Sequence, residues 1–272
     1  MLNQAEKARA FSELHQRAGT FIIPNPWDTG SARLLQHLGF EALATSSAGY
    51  AFSIGKPDNA VGRDGTLAHA AALAAVTDLP ISIDLENGFG DDPEIVAETI
   101  RLAAATGAVG GSIEDATERA DDPLYELAQA VERIRAAADV VRSLPFPFML
   151  TARAENYLKG KQDLKDTIER LQQYQEAGAD VLYAPGLTDK NEIATLVSAV
   201  DRPVNVLMAL PGVNLTVADL AEIGVKRISV GSGLARCAYS AFLNGAREMK
   251  EQGTFTFAEG TVPFRTLNSL LG

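Results

Sequence analysis

Two acids close one apolar run of this chain. In ISIDLENGFG, residues 81–90, the run ends in Asp84 and Glu86, and a Gly-Phe-Gly turn follows. On a strand, side chains two residues apart share a face, so two like charges would sit together. Other apolar runs end in the same way. GGSIED (110–115) closes on Glu114 and Asp115, FMLTARAE (148–155) on Arg153 and Glu155, and ALATSS (42–47) on Ser46 and Ser47. FIIPNPW (21–27) brings Asn25 and Trp27, with Asp28 just after it, and PVNVLM (203–208) carries Asn205. Three carboxylates gathered in a partly buried pocket, Asp84, Glu86 and Glu114, repel strongly. A divalent cation relieves that repulsion. An all-oxygen set suits Mg²⁺ or Mn²⁺ rather than zinc, and Mg²⁺ keeps several waters, so few protein ligands are needed. The acids could instead pair with arginine or hold a proton. Arg153 is the arginine at these strand ends, one guanidinium for three acids. It suits a substrate carboxylate as a planar fork, and it suits equally a salt bridge to Glu155 or Glu114.

The remaining reactive residue types offer less. His15, His37 and His69 fall in helical segments away from the strand ends, which removes a histidine-ligated metal and a Ser-His-Asp triad. Cys237 sits in an Ala-rich helical stretch and reads as a packed thiol. No lysine ends a strand, so a Schiff-base nucleophile is missing. VGSGLA (230–235) could offer amides to a phosphate, or could simply be a tight strand-to-helix turn.

These residues need a frame that brings strand ends together. Eight short apolar runs recur, at 21–27, 42–47, 81–86, 110–115, 148–155, 181–185, 203–208 and 227–232. Amphipathic segments fit between them, around 30–39, 92–106, 123–142, 161–177, 189–200, 216–223 and 233–250. Gly39, Gly107, Gly178 and Gly224 stand just before strands, where a helix needs a left-handed terminator. Eight strand–helix units predict one (β/α)8 TIM barrel domain over 1–272, with 3–17 as an extra N-terminal helix. A doubly wound sheet would lack its Gly-rich first turn. In a barrel, the acids, serines and Arg153 collect at the C-terminal mouth, where barrel enzymes react.

Composition narrows the class. With 272 residues, 46% hydrophobic, the chain can bury a full barrel core. A net charge of −11 argues against nucleic acid. The absence of a long apolar run argues against a membrane span, and the polar N-terminal segment lacks the centre of a signal peptide. One cysteine excludes an internal disulfide. A cytoplasmic protein with a small-molecule substrate is expected.

The motifs together resemble the isocitrate lyase/phosphoenolpyruvate mutase superfamily along nearly the whole chain. The matching pieces are NPWDTGSARLL (25–35), TSSAG (45–49) with GKPD (55–58), DLENGFG (84–90), SIED (112–115) and TARAE (151–155). The resemblance implies that Asp84 and Glu86 hold Mg²⁺ directly or through water, with Glu114 partly in the outer shell. It implies that Ser46, Ser47 and Ala48 cradle a keto-acid end and that Arg153 binds the oxyanion or carboxylate. Asp58 matches a loop acid near the reacting centre. It also implies a last helix exchanged between subunits, in dimers that pair into tetramers. Two departures stand out. Glu86 replaces an Asp of the usual strand-three motif. The Lys-Arg-Cys-Gly-His segment of the lyase branch is replaced by ATERADDPLYE (116–126), and of the lyase stretch after strand seven NVLMALPG (205–212) keeps only Asn205. A Mg²⁺-dependent carbon–carbon lyase or decarboxylase acting through an enolpyruvate-like anion is therefore expected. The alternatives are P–C bond chemistry of the mutase or phosphonopyruvate hydrolase type, with Arg119 and Lys159 as phosphoryl partners, and a keto-acid binder without catalysis. Residues 116–126 are expected to act as a lid.

Overall fold

The computed structural model describes residues 2–272, and they alternate strand and helix as the periodicity predicts. Helix α1 (Gln4–Gln16) precedes β1 (Phe21–Ile23) and α2 (Thr29–His37). Strand β2 (Leu43–Ala44) is followed by two helices, α3 (Ser47–Ser53) and α4 (Arg63–Ala74). Then come β3 (Ile81–Asp84), α5 (Pro93–Ala105), β4 (Gly110–Glu114), α6 (Leu127–Ser143), β5 (Met149–Arg153) and α7 (Leu164–Ala177). Strand β6 (Val181–Tyr183), α8 (Lys190–Ser198), β7 (Val204–Leu207), α9 (Val217–Glu222) and β8 (Arg227–Ser229) complete the alternation. Helices α10 (Gly233–Gln252) and α11 (Phe264–Leu271) follow.

All strand pairs are parallel, in the order β1-β8-β7-β6-β5-β4-β3-β2. The seam between β1 and β2 is bridged at the C-terminal ends of the strands: the Ala44 amide, the last of β2, donates to the Pro24 carbonyl at 3.1 Å, and Asn25 Nδ2 donates to the Thr45 carbonyl at 3.0 Å. The sheet is thus a nearly closed (β/α)8 barrel. Helices form where the sequence supplies caps: Asn3 and Asp28 build capping boxes, Asp92 caps α5 ahead of Pro93, and Asp189 caps α8. The four terminator glycines all take positive φ, from 83° to 111°.

Four expectations are corrected. Between β2 and β3 the eight-unit reading expects one helix, the one that holds His69, yet two form there, α3 and α4. Ser46, read as the end of a strand, is the N-cap of α3, its Oγ accepting from the Gly49 amide. Helix α6 starts at Leu127 rather than at Pro123, because Ala116 and Leu124 pair antiparallel and fold 116–124 into a small hairpin. Cys237 is exposed, not packed. The reason lies in α10, which keeps only Ala235 and Gly245 buried along its length and so does not lie down on the barrel as an eighth helix would. No helix among the described residues is long and apolar enough to cross a membrane.

The floor of the barrel is plugged by α1. Glycine at 110 makes this possible: a Cβ there would stand 2.9 Å from Phe11 Cε1 and 3.0 Å from the Met149 carbonyl oxygen. Beside Phe11, His15 packs edge-on against Phe11 and Phe21.

Candidate active site

The turn after β3 is built under strain. Glu86, Gly88 and Phe89 have φ of 50°, 80° and 63°, a region that costs a side-chain-bearing residue energy. Its carbonyls are held from below. Buried Arg133 of α6 donates to the carbonyls of Asn87, Gly90 and Asp91 and stacks 4.0 Å from the Tyr125 ring, while Thr99 Oγ1 donates to the Gly88 carbonyl. The clamp fixes the backbone that turns Glu86 back toward Asp84.

At the mouth, Arg153 binds three acids at once. Nη1 meets Asp84 Oδ1 at 2.9 Å, Nη2 meets Glu114 Oε2 at 2.9 Å, and Nε meets Glu155 Oε1 at 2.8 Å. The guanidinium also lies 5.3 Å from the Tyr183 ring. Burial opposes its charge, yet Glu114, Glu155 and Asp84 hold its pKa well above the ordinary arginine value. Burial in turn pushes Glu114 and Glu155 up, against the pull of Arg153. Of the two roles open to Arg153 in the sequence, the salt bridges to Glu114 and Glu155 are the ones formed here. Its charge is committed to carboxylates, and it lines the pocket in contact with Asp84.

Glu86 is the acid left over. It is buried, Oε1 has no hydrogen-bond partner, and burial together with Asp84, Asp58 and Glu118 raises its pKa to about 7. Asp84 turns its second oxygen to the Ser47 amide at 3.3 Å and accepts from the Glu86 amide at 3.3 Å. The three expected metal carboxylates do not converge: Glu114 faces Arg153, and no group of three His, Cys, Asp or Glu among the described residues could hold a metal. Asp84 and Glu86 remain as an all-oxygen pair containing an orphaned buried oxygen. That pair fits Mg²⁺ or Mn²⁺, which can complete their shells with water, and does not fit zinc.

Glu86 lines an open cleft with Asn59, Phe89 and Glu118, and beside Asp84 opens a cavity of about 200 Å³. Asp84, Arg153, Ser46, Ser47, Ala48, Asp58 and Asn205 all line it, so the structure brings together every expected substrate residue. Their roles differ. The Ser46 hydroxyl is committed to capping α3. Asp58 is exposed on the rim, where partial desolvation raises its pKa, opposed by a hydrogen bond with Ser47 and reinforced by Asp84. Asn205 is buried, taking a bond from Arg227 Nε at 2.8 Å and giving one to Ser229 Oγ at 2.9 Å.

Several expectations fall outside this cavity. Arg119 pairs with Asp91 and Asp122, and Lys159 with Glu118, so neither presents a free cation to a phosphoryl group there. The Val230 and Gly231 amides donate to Asn25 Oδ1, each at 2.9 Å, which makes VGSGLA a strand-closing turn. His69 bonds the Trp27 carbonyl and stacks on Tyr50 with ring centroids 3.8 Å apart. Glu118, at the tip of the 116–124 hairpin with φ 63°, reaches Asn59 Nδ2 at 2.5 Å and Lys159 Nζ at 3.3 Å, tying three loops over the mouth. The sequence reading missed Tyr183, Arg227 and Ser229, which line the deeper wall. A lone arginine opening the apolar run RISVGS was the available signal for one of them.

Residues 11–250 match the family model described as phosphoenolpyruvate phosphomutase. The chain is 31% identical to the 2-methylisocitrate lyase of Escherichia coli over 72% of this chain and 68% of that one. A crystal structure from Burkholderia cenocepacia J2315, described as a lyase/mutase candidate, is 63% identical, with a TM-score of 0.96 over 98% of this chain and 95% of the other. An oxaloacetate acetylhydrolase solved with its product oxalate is 25% identical, with a TM-score of 0.88 over 99% and 95% of the two chains.

Proposed function

The chain belongs to the phosphoenolpyruvate phosphomutase family, within the isocitrate lyase/phosphoenolpyruvate mutase superfamily, and from that premise we propose a Mg²⁺-dependent enzyme acting on a small α-keto or 2-hydroxy acid, cleaving or forming the C–C bond next to its carbonyl. One observation carries the reading. Arg153 compensates Asp84, Glu114 and Glu155, and leaves Glu86 beside Asp84 with a buried oxygen that nothing satisfies. A site assembled only for stability would not keep that acid. The names of a lyase and an acetylhydrolase among the relatives support bond cleavage next to a carboxylate-bearing carbon. The commitment of Arg119 and Lys159 to acids favours C–C over P–C chemistry.

In this reading Asp84 and Glu86 hold the cation, and Glu114 acts through Arg153. When bound, Mg²⁺ polarises the keto-acid carbonyl and steadies negative charge as the bond breaks. The chain does the rest. Arg153 fixes the Asp84 carboxylate in one orientation, so that Oδ2, which takes only the long Ser47 amide bond, is aimed before substrate arrives. Ser47 holds Asp84 through its amide and Asp58 through its side chain. With its raised pKa, Asp58 on the rim is the group placed to hand a proton to a departing carbanion. The Asn59–Glu118–Lys159 tie joins three loops at the mouth.

The test is release of keto acid from a panel of 2-hydroxy and 2-keto diacids, assayed with Mg²⁺ and with excess EDTA. Turnover that needs Mg²⁺ and disappears in Asp84→Ala is expected. Full turnover in EDTA, or no turnover of any panel member by well-folded protein, would sink the proposal.

A further inference from the structure

Arg227 is a second guanidinium facing the same cavity, and its environment is unlike that of Arg153. It is buried, 4% exposed, and its partners are neutral. Nε donates to Asn205 Oδ1 at 2.8 Å, Nη2 to Thr151 Oγ1 at 3.1 Å, and Nη1 approaches His15 Nε2 at 3.4 Å. The His15 ring is neutral: burial and the nearby Arg227 lower its pKa to about 3. Nδ1 sits 2.8 Å from the Phe11 carbonyl, so that nitrogen carries the hydrogen and Nε2 accepts. Of the five guanidinium N–H groups these bonds use three, one on each nitrogen, and leave one donor on each terminal nitrogen. No carboxylate among the described residues forms an ion pair with it. A buried charge of this kind is costly unless something compensates it.

The space around Arg227 is shaped for a compensating group. The cavity wall carries Ala44, Ser82, Ser112 and Ser229, where barrel interiors ordinarily carry bulky branched side chains. Below, α1 seals the barrel with Phe11 and His15, so an anion can reach Arg227 only from the mouth. Tyr183 lies between the two arginines, its ring beside Arg153 and its phenol bonded to Ser229. At about 200 Å³ the cavity is below the roughly 300–1,000 Å³ of pockets for drug-sized ligands, which limits the occupant to a small acid.

We propose that Arg227 anchors a second carboxylate of the substrate, in the deep wall of the cavity that Asp84 lines nearer the mouth. The inference rests on the keto-acid reading above for the identity of the other end. A phosphoryl group would use the same donors, and the experiment separates the two.

Binding of malonate, inorganic phosphate and oxalate is measured by calorimetry on wild type, Arg227→Met and Arg227→Lys, in Mg²⁺ and in EDTA. Malonate affinity in EDTA is expected to fall at least ~30-fold in the Met variant and less in the Lys variant, as removal of one partner from a buried charge pair costs. Oxalate in Mg²⁺ reports the Asp84–Glu86 end and should change less than about threefold. Malonate binding to Arg227→Met within about threefold of wild type overturns the proposal, and Arg227-dependent binding of phosphate but not malonate overturns the carboxylate assignment. Loss of oxalate binding in wild type, or an inert substrate panel, would count against the keto-acid reading while leaving Arg227-dependent malonate binding in place. Should the Met variant fail to fold, a malonate-soaked crystal of wild type decides: density on the Arg227 terminal nitrogens supports the anchor, and malonate elsewhere refutes it.

Discussion

Arg153 Nη1 lies 2.9 Å from Asp84 Oδ1, across the barrel mouth from β5 to β3, and turns the other oxygen of Asp84 toward the Ser47 amide, 3.3 Å away. The same guanidinium spans Glu114 and Glu155. A lysine keeps the charge but has no planar fork with which to meet three carboxylates. Arg153→Lys is expected to lose at least ~100-fold in kcat/KM, about 2.7 kcal/mol by rate arithmetic, and to weaken Mg²⁺ binding as well. The Mg²⁺ effect identifies a positioning role, since a residue that only bound substrate would leave metal affinity unchanged. Arg153→Ala strands buried acids and should destabilise by roughly 3–5 kcal/mol in chemical denaturation. A Lys variant within a few-fold of wild type in both activity and Mg²⁺ affinity would refute the assignment.

Glu86 predicts a trade between stability and function. In metal-free protein its buried charge is unpaired, so Glu86→Gln should raise Tm in EDTA at pH 8 by a few degrees, while removing most of the Tm increase that Mg²⁺ gives wild type. Activity should fall with it. A Gln variant that is less stable in EDTA and still gains the full Mg²⁺ shift would place the cation elsewhere.

The barrel could be read from the chain because its period is repeated eight times and its helix ends carry terminator glycines. The acids of the mouth could be read because charge at the end of an apolar run is conspicuous. Other features depend on partners far along the chain. Nothing local to Arg153 tells whether its fork meets Glu155 two residues away or Asp84 and Glu114 on other strands. Ser46 looks like a strand end, and only the helical turn that follows makes it a cap. Arg227 was not legible as a site residue because it opens β8, at the end of the strand away from the mouth, and reaches the cavity from there. Its environment depends on α1, some two hundred residues earlier.

Histidine 15 predicts a pH dependence of stability. Its pKa falls from 6.5 unfolded to about 3 folded, through burial and the nearby Arg227. A base with a depressed folded pKa contributes stability that is fully present above about pH 6.5 and lost as pH falls toward 3, by up to about 1.4 kcal/mol per pH unit. His69, lowered to about 4 by burial, acts with the same sign. Glu86, Glu114 and Glu155 act with the opposite sign, because their raised pKa values relieve a penalty as pH falls. The comparison that isolates His15 is wild type against His15→Gln in urea titrations from pH 7.5 to 4.5. The stability difference should move in favour of the Gln variant as pH drops. A difference that stays constant over that range would mean that His15 keeps an ordinary pKa.

The final prediction concerns α10. Phe242, Leu243 and Met249 on this helix are exposed, as are Phe255, Phe257, Val262 and Phe264 after it, with Phe242 at 68% and Phe264 at 79%. Only α11 returns to the barrel, where Arg33 Nη1 donates to the Leu271 carbonyl at 2.6 Å near α2. An eighth barrel helix would bury such side chains, and this many large exposed apolar side chains on one helix and the segment after it mark an interface. The occupant we expect is a second copy of the chain, taking α10 onto its own barrel while lending its α10 in return, as a two-fold exchange requires. Sedimentation equilibrium should therefore give a mass of at least twice the 28.9 kDa of one chain. Phe242→Asp, which places a charge on the exchanged face and touches no residue of the pocket, should shift the protein toward monomer and lower its Tm. A wild-type protein that stays monomeric at tens of micromolar, or a Phe242→Asp variant with unchanged mass and Tm, would rule the exchange out.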